Sequence, residues 1–212
     1  MYNKDIIVLI GPPGAGKGSL TDLLLKSGND SIEILTVSDL LKKEIEAQTK
    51  HGKTIKLYMD DGRLVPDSIV ISILLNAIKN TEKKVILDGF PRTIEQARAM
   101  LYTGLVPNLV VEFLANDEII IERTKNRIVC SKCSTPYSLK GIKKPKIDGI
   151  CDKCQGKLIK RKDDEKILER LREYYKITFP VVEYLANENI KIFSFENNKA
   201  EDLEKVKELL IC

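Results

Sequence analysis

At 212 residues the chain can bury a full core and is large for one mean-sized domain, so one domain carrying an inserted piece is expected. With 43% hydrophobic and 31% charged residues it has the composition of a soluble globular protein, and a net charge of +4 calls for neither nucleic acid nor a membrane surface. No apolar run approaches the roughly 20 residues that cross a bilayer, and the N-terminal MYNKDIIVLIGPPG lacks a small-residue cleavage site, which predicts a cytoplasmic protein.

In chain order, Asp5–Ile10 is a short β-branched apolar run ended by glycine and proline, the pattern of a buried parallel strand. A helix is expected from Lys17 to Lys26, then a turn at Gly28–Asp30 and a short strand in IEILTV. Helical patterns follow over Ser38–Thr49, Lys53–Asp60 and Pro66–Lys79, with Ser38 and Asp67 as caps or first-turn residues. Lys83–Asp88 and Asn108–Leu114 read as two more buried strands, each leading into a helix, Thr93–Tyr102 and Asp117–Asn126. A long helix is expected over Asp164–Ala186, then a strand in NIKIFSF and a helix over Ala200–Leu210. Strands alternating with helices imply a parallel sheet covered on both faces, with ligands at the carboxyl ends of its strands. The segment Arg127–Asp163 breaks the alternation and reads as an inserted subdomain.

GPPGAGKGS, Gly11–Ser19, directly follows the first strand and fits the phosphate-binding G-x-x-x-x-G-K pattern. Its glycines let backbone N–H groups turn inward, and the following helix adds its positive end. Lys17 can reach the β- and γ-phosphates, and Ser19 is a candidate near magnesium. Asp88, ending a buried strand, is the candidate magnesium-side carboxylate.

Four of the five cysteines form CSKC and CDKC, Cys130–Cys133 and Cys151–Cys154, with seventeen residues between the pairs. In a cytosolic chain such pairs are metal ligands sooner than disulfides, and this spacing fits four thiolates around one structural Zn²⁺. A piece of some 35 residues has little core of its own, and a metal can replace the missing burial. Cys212 is left over at the terminus and His51, the one histidine, sits in a polar stretch.

GPPGAGKGS, DDGRLVPD, DGFPRTIEQA, ERTKNR and the KRKDD and RLREYY stretches, in that order, resemble adenylate kinase over essentially the whole chain. The cysteine segment resembles the zinc-bearing lid of one branch of that family. The resemblance implies an α/β P-loop three-layer sandwich with a parallel sheet and a small zinc-ribbon-like lid. The body would be 1–126 and 164–212, with an AMP-binding helical segment at about 36–65, and the lid 127–163. It implies reversible transfer of the γ-phosphoryl group of MgATP to AMP, giving two ADP, by a monomer that needs Mg²⁺ with ATP and structural Zn²⁺. Lys17, Asp88, Arg92, Arg123, Arg161 and Arg170 would be catalytic. ATP would be met by Gly14, Ala15, Gly16, Lys17, Gly18, Ser19, Arg123, Arg127, Pro136, Tyr137 and Lys199. AMP would be met by Val37, Lys42, Arg63, Leu64, Val65, Gly89, Phe90, Pro91, Arg92, Gln96, Arg161 and Arg170, with Gln96 on the adenine. Zinc would be held by Cys130, Cys133, Cys151 and Cys154.

The chain departs from the family pattern in TVSDLLK, Thr36–Lys42. Val37 stands for a hydroxyl residue beside the acceptor base, and Lys42 for an arginine on the AMP phosphate. Lysine keeps the charge and loses the planar fork, so weaker acceptor binding is expected, and an altered or relaxed acceptor specificity is the alternative reading. Arg161 and Arg170 also stand closer together than is usual, which places a deletion at DDEK, ahead of the helix. A zinc-ribbon nucleic-acid binder would use Lys140, Lys143, Lys144 and Lys146, but only Tyr137 is aromatic nearby, and such lysine runs are usually solvated. A P-loop switch GTPase would need an Asn-Lys-x-Asp motif, which the chain lacks.

Overall fold

The computed structural model describes residues 4–60, 65–133, 135–140, 143–197 and 200–211. Of the site residues expected from the sequence, Arg63, Leu64 and Lys199 lie outside these, as does Cys212. Among the described residues, five parallel strands form the main sheet in the order β2-β3-β1-β4-β8: β1 Ile6–Ile10, β2 Ile32–Thr36, β3 Lys84–Asp88, β4 Leu109–Leu114 and β8 Ile192–Glu196. Central β1 is buried along its whole length, as its unbroken apolar run requires of a strand covered on both faces.

Side chains alternate across the strand, and the core divides accordingly. Ile6, Val8 and Ile10 join Val85, Leu87 and Val110 on one face, against helices α2 (Val37–Glu46), α4 (Asp67–Lys79), α5 (Ile94–Tyr102) and α8 (Phe179–Asn187). Ile7 and Leu9 join Ile86, Val111 and Phe113 on the other, against α1 (Lys17–Lys26) and α9 (Ala200–Ile211). Each such fully buried aliphatic side chain contributes about 1.5–3 kcal/mol, which makes the three-layer body the stable frame. Helix α3, Lys50–Asp60, packs on α2 beside this frame.

After α6, Asp117–Lys125, the chain leaves the alternation for a small antiparallel sheet in the order β6-β5-β7. Its strands are β5 Arg127–Cys130, β6 Pro136–Ser138 and β7 Leu158–Ile159. The chain is thus α/β, with a parallel five-stranded sheet and a small four-cysteine piece inserted after α6.

Two local expectations need correction. The single long helix over Asp164–Ala186 is a composite: a 3-10 turn at Lys162–Lys166, α7 at Ile167–Glu173, a π-helical turn at Tyr174–Thr178, and then α8. Pro180 lacks an N–H and crowds the preceding turn, and a wider turn before it relieves both problems. Tyr174, Tyr175 and Phe179 meet edge to face across that turn. Helix α2 starts at Val37, one residue ahead of Ser38, with Thr36 in the cap position.

Candidate active site

The loop between β1 and α1 carries Gly11–Gly16, and α1 begins at Lys17. The Ser19 and Leu20 N–H groups donate to the Gly16 carbonyl at 2.9 and 3.0 Å, closing the first helical turn. Gly16 has φ +108, and a Cβ there would lie 2.1 Å from Nδ2 of Asn197, so only glycine fits. Asn197 is 3% exposed; its side-chain amide donates to the Ala15 carbonyl, and its backbone N–H donates to Leu114 O at 3.1 Å. The residue after β8 therefore fastens the loop to the end of β4.

The Lys17 ammonium donates to the carbonyls of Gly11 and Pro12, the latter at 3.0 Å. Burial lowers its pKa to about 8; the Asp88 carboxylate pulls it up, and the Arg92 and Arg170 guanidinium groups lower it further. Burial raises the pKa of Asp88, Lys17 and Arg92 hold it down, and Asp39 pushes it up. Lys17, Asp88, Arg92 and Arg170 thus lie within electrostatic reach of one another, from three separate stretches of chain. The register explains part of this: Leu9 of β1 pairs with Asp88 of β3, so the carboxylate emerges one strand from the phosphate loop.

Arg92 folds back so that Nε donates to the Gly89 carbonyl at 2.9 Å. Phe90 and Pro91 are buried beneath this turn. Gln96 is gripped at both ends: its Oε1 accepts from the Arg92 N–H at 2.7 Å, and its Nε2 donates to Asp67 Oδ1 at 2.6 Å. Val37 and Val65 pack against the first core cluster, while Lys42 lies on the exposed side of α2 and pairs with Asp39 at 3.3 Å.

On the other side of the phosphate loop, burial lowers the pKa of Arg123 in α6. Arg127 pairs with Asp164, Nε donating to Oδ2 at 2.9 Å. Arg161 is exposed, at the start of the 3-10 turn. Lys143, exposed as expected of this lysine run, donates to Ser19 Oγ at 2.9 Å and lies 3.9 Å from Asp22, so the inserted piece touches the start of α1. Asn197, Lys143, Asp39, Asp67 and Asp164 were not singled out as site residues by their sequence context. Each is a polar residue whose partner is set by the fold, save the local pair of Asp39 and Lys42.

The four cysteine sulfurs all lie within 4.8 Å of one another. The Cys130–Cys154 and Cys133–Cys154 sulfurs are 3.4 Å apart, and Cys133–Cys151 3.6 Å. Four sulfurs at about 2.3 Å from one zinc ion would stand about 3.8 Å apart, so the donor set fits. The Lys132 N–H points at Cys130 Sγ at 3.4 Å, and a Cβ on Gly156 would come within 2.8 Å of that sulfur. A hydrogen bond from the Tyr137 side chain brings the Cys151 thiol down to about 6, while contact with Cys133 pushes Cys154 up to about 12. Four thiols so crowded ionise together only around a cation. The cluster suggests zinc. Tyr137 is buried with Ile128 and Leu158 in the small core beside the sulfurs, its hydroxyl accepting from the Asp152 N–H at 2.8 Å.

A family model described as adenylate kinase matches residues 9–190. An adenylate kinase of Clostridium tetani is 41% identical over 202 residues, covering 87% of this chain and 88% of that protein. One of Mycoplasma mycoides subsp. mycoides SC is 38% identical over 203 residues, covering 93% and 92%. One of a Hydrogenobaculum strain is 39% identical over 213 residues, covering 97% and 100%. With these matches spanning most of its length, and with a phosphate loop, cations around Asp88 and a four-cysteine insert, the chain belongs to the adenylate kinase family.

Proposed function

We propose that the adenylate kinase reaction of this chain, transfer of the γ-phosphoryl group of MgATP to AMP to give two ADP, is carried by Lys17, Arg92, Arg123, Arg127, Arg161 and Arg170, with Asp88 and Ser19 on the magnesium side. The observation that carries the reading is the convergence of Lys17, Asp88, Arg92 and Arg170 at the carboxyl ends of β1 and β3.

The chemistry asks for cations rather than a base. The attacking group is a phosphate whose second pKa is near ~6, so it arrives largely deprotonated. What remains is to hold two polyanions in line and to stabilise the charge that moves between them. Lys17 exchanges its hold on the Gly11 and Pro12 carbonyls for the β- and γ-phosphates, and the backbone of the Gly14–Ser19 stretch, with the positive end of α1, cradles the rest. Arg123 and Arg127 take the ATP side and Arg92 the AMP phosphate, each with a fork that binds oxygens in pairs and keeps its proton. Arg161 and Arg170 lie between the two nucleotides. Gln96 reads the acceptor base, while backbone beside Lys199 and the segment Arg63–Val65 hold the ATP adenine and the AMP ribose.

Residues 127–163 act as a lid that closes over ATP and excludes water. Cys130, Cys133, Cys151 and Cys154 would hold zinc, which supplies folding energy to a piece with a small core. Tyr137 serves the lid from within, and Lys143 meets the phosphate loop when the lid is down. Reduced cysteines ready for a metal fit a cytoplasmic setting.

Packing of Val37 on the core and pairing of Lys42 with Asp39 favour weak or broadened acceptor binding as the second reading. The test of the assigned roles is Arg170→Ala. It is expected to lower kcat by about 10²-fold or more with the fold intact; unchanged kcat would remove Arg170 from the reaction.

A further inference from the structure

Gln96 can present its amide in two ways, and only one of them reads adenine. Its Oε1 has two lone pairs and its Nε2 two hydrogens. The Arg92 N–H, which can only donate, uses one lone pair at 2.7 Å, and the Asp67 carboxylate, which as an ion can only accept, takes one hydrogen at 2.6 Å. Both partners therefore demand the same orientation, and a flipped amide would set N–H against N–H at one end and oxygen against carboxylate at the other. One lone pair and one N–H remain.

That remainder has a definite base preference. Adenine offers an amino donor at position 6 and an acceptor at N1, which complement it. Hypoxanthine and guanine offer a carbonyl oxygen and an N1–H, the reverse at both points, and a site built to hydrogen-bond one pattern rejects the other because buried polar groups go unpaired.

We propose that Asp67 is a specificity-determining positioning residue: from the first turn of α4 it locks the Gln96 amide in the orientation that accepts an amino-bearing base and refuses a 6-oxo purine. The inference rests on the reading of Gln96 as the residue that meets the acceptor base. Gln96 is further fixed by its own N–H, which donates to Thr93 Oγ1 at 3.1 Å at the start of α5. Asp67 thereby couples α4 to the turn that carries Arg92.

The test is initial-rate kinetics with MgATP and either AMP or inosine monophosphate as acceptor, which differ only in the position-6 and N1 pattern. Asp67→Ala removes the acceptor, Asp67→Asn keeps an oxygen that can still accept from Nε2, and Asp67→Leu keeps the shape of asparagine without it. The Ala and Leu variants are expected to lower kcat/KM for AMP by about 10-fold or more, through KM. The ratio of AMP to inosine monophosphate use falls with it, while KM for ATP is unchanged. The Asn variant should stay near wild type. A merely structural role, such as a charge at the helix N-terminus, is lost equally in Asn and Ala and would leave the ratio unmoved, so that pattern overturns the proposal. Gln96→Ala separates the two layers. If it abolishes discrimination while Asp67→Ala and Asp67→Leu do not, Asp67 has no such role. If Gln96→Ala itself leaves AMP kinetics and the ratio unchanged, the reading of Gln96 fails and the role of Asp67 falls with it.

Discussion

Arg127, at the start of the first lid strand, is held by Asp164, in the 3-10 turn where the chain returns to the body, with Nε donating to Oδ2 at 2.9 Å. The two ends of the inserted piece are therefore tied to each other by an ion pair that is largely shielded, with side chains 23% and 10% exposed. Such a pair is worth little against a well-packed apolar replacement, but removing one partner leaves the other charge covered and uncompensated. Asp164→Ala is expected to cost about 1.5–3 kcal/mol, read as a lowered Tm, and Asp164→Asn less, since an acceptor remains. A wild-type Tm in the alanine variant would mean that Arg127 finds another partner at no cost.

Lys17 is a cation kept where the fold disfavours its charge. Its folded pKa of about 8 lies below the ordinary lysine value, so at neutral pH the charged form is penalised in the folded state. Lys17→Met should therefore leave Tm unchanged or raised while phosphoryl transfer falls by at least about 10²-fold. Thermal melts beside initial rates check both halves. A large loss of Tm would make Lys17 structural.

Asn197 fastens the phosphate loop through the Ala15 carbonyl, so its loss should be felt on one substrate only. Asn197→Gly is expected to raise KM for ATP several-fold and to leave KM for AMP alone. Equal effects on both would show a general loosening of the body in place of a loop clamp.

Metal removal should separate lid from body. Chelation, or Cys130→Ser with Cys133→Ser, takes away the ligands around which Ile128, Tyr137 and Leu158 pack, whereas the two clusters on the main sheet share nothing with them. A low-temperature transition confined to the lid, with the body melting later, is expected. Metal analysis should find about one zinc per chain. A single unchanged transition after metal loss would contradict a structural role.

The features legible in the sequence were those with short-range signatures. Strand, glycine loop and helix at Asp5–Lys26 follow from local composition, and the two Cys-x-x-Cys pairs state their chemistry by spacing. The broken helix at Tyr174–Thr178 was not legible, because helical periodicity does not register a turn widened to accommodate Pro180. Nor were the long-range polar partners. Asn197 meets Ala15 from 182 residues away and Lys143 meets Ser19 from 124, and nothing local to an asparagine or a lysine announces such a partner. Gln96 was singled out through the family resemblance, but its hydrogen bond to Asp67 was not legible, since the sequence offers Asp67 only as a helix-start residue.

The central claim is the reaction itself, and the most direct measurement is product analysis with MgATP and, in parallel, AMP, CMP, UMP and GMP. The account predicts that AMP is used in strong preference, one ATP and one AMP giving two ADP. Absence of transfer to any monophosphate would contradict it, and comparable rates with a 6-oxo purine would contradict the orientation of Gln96 described above.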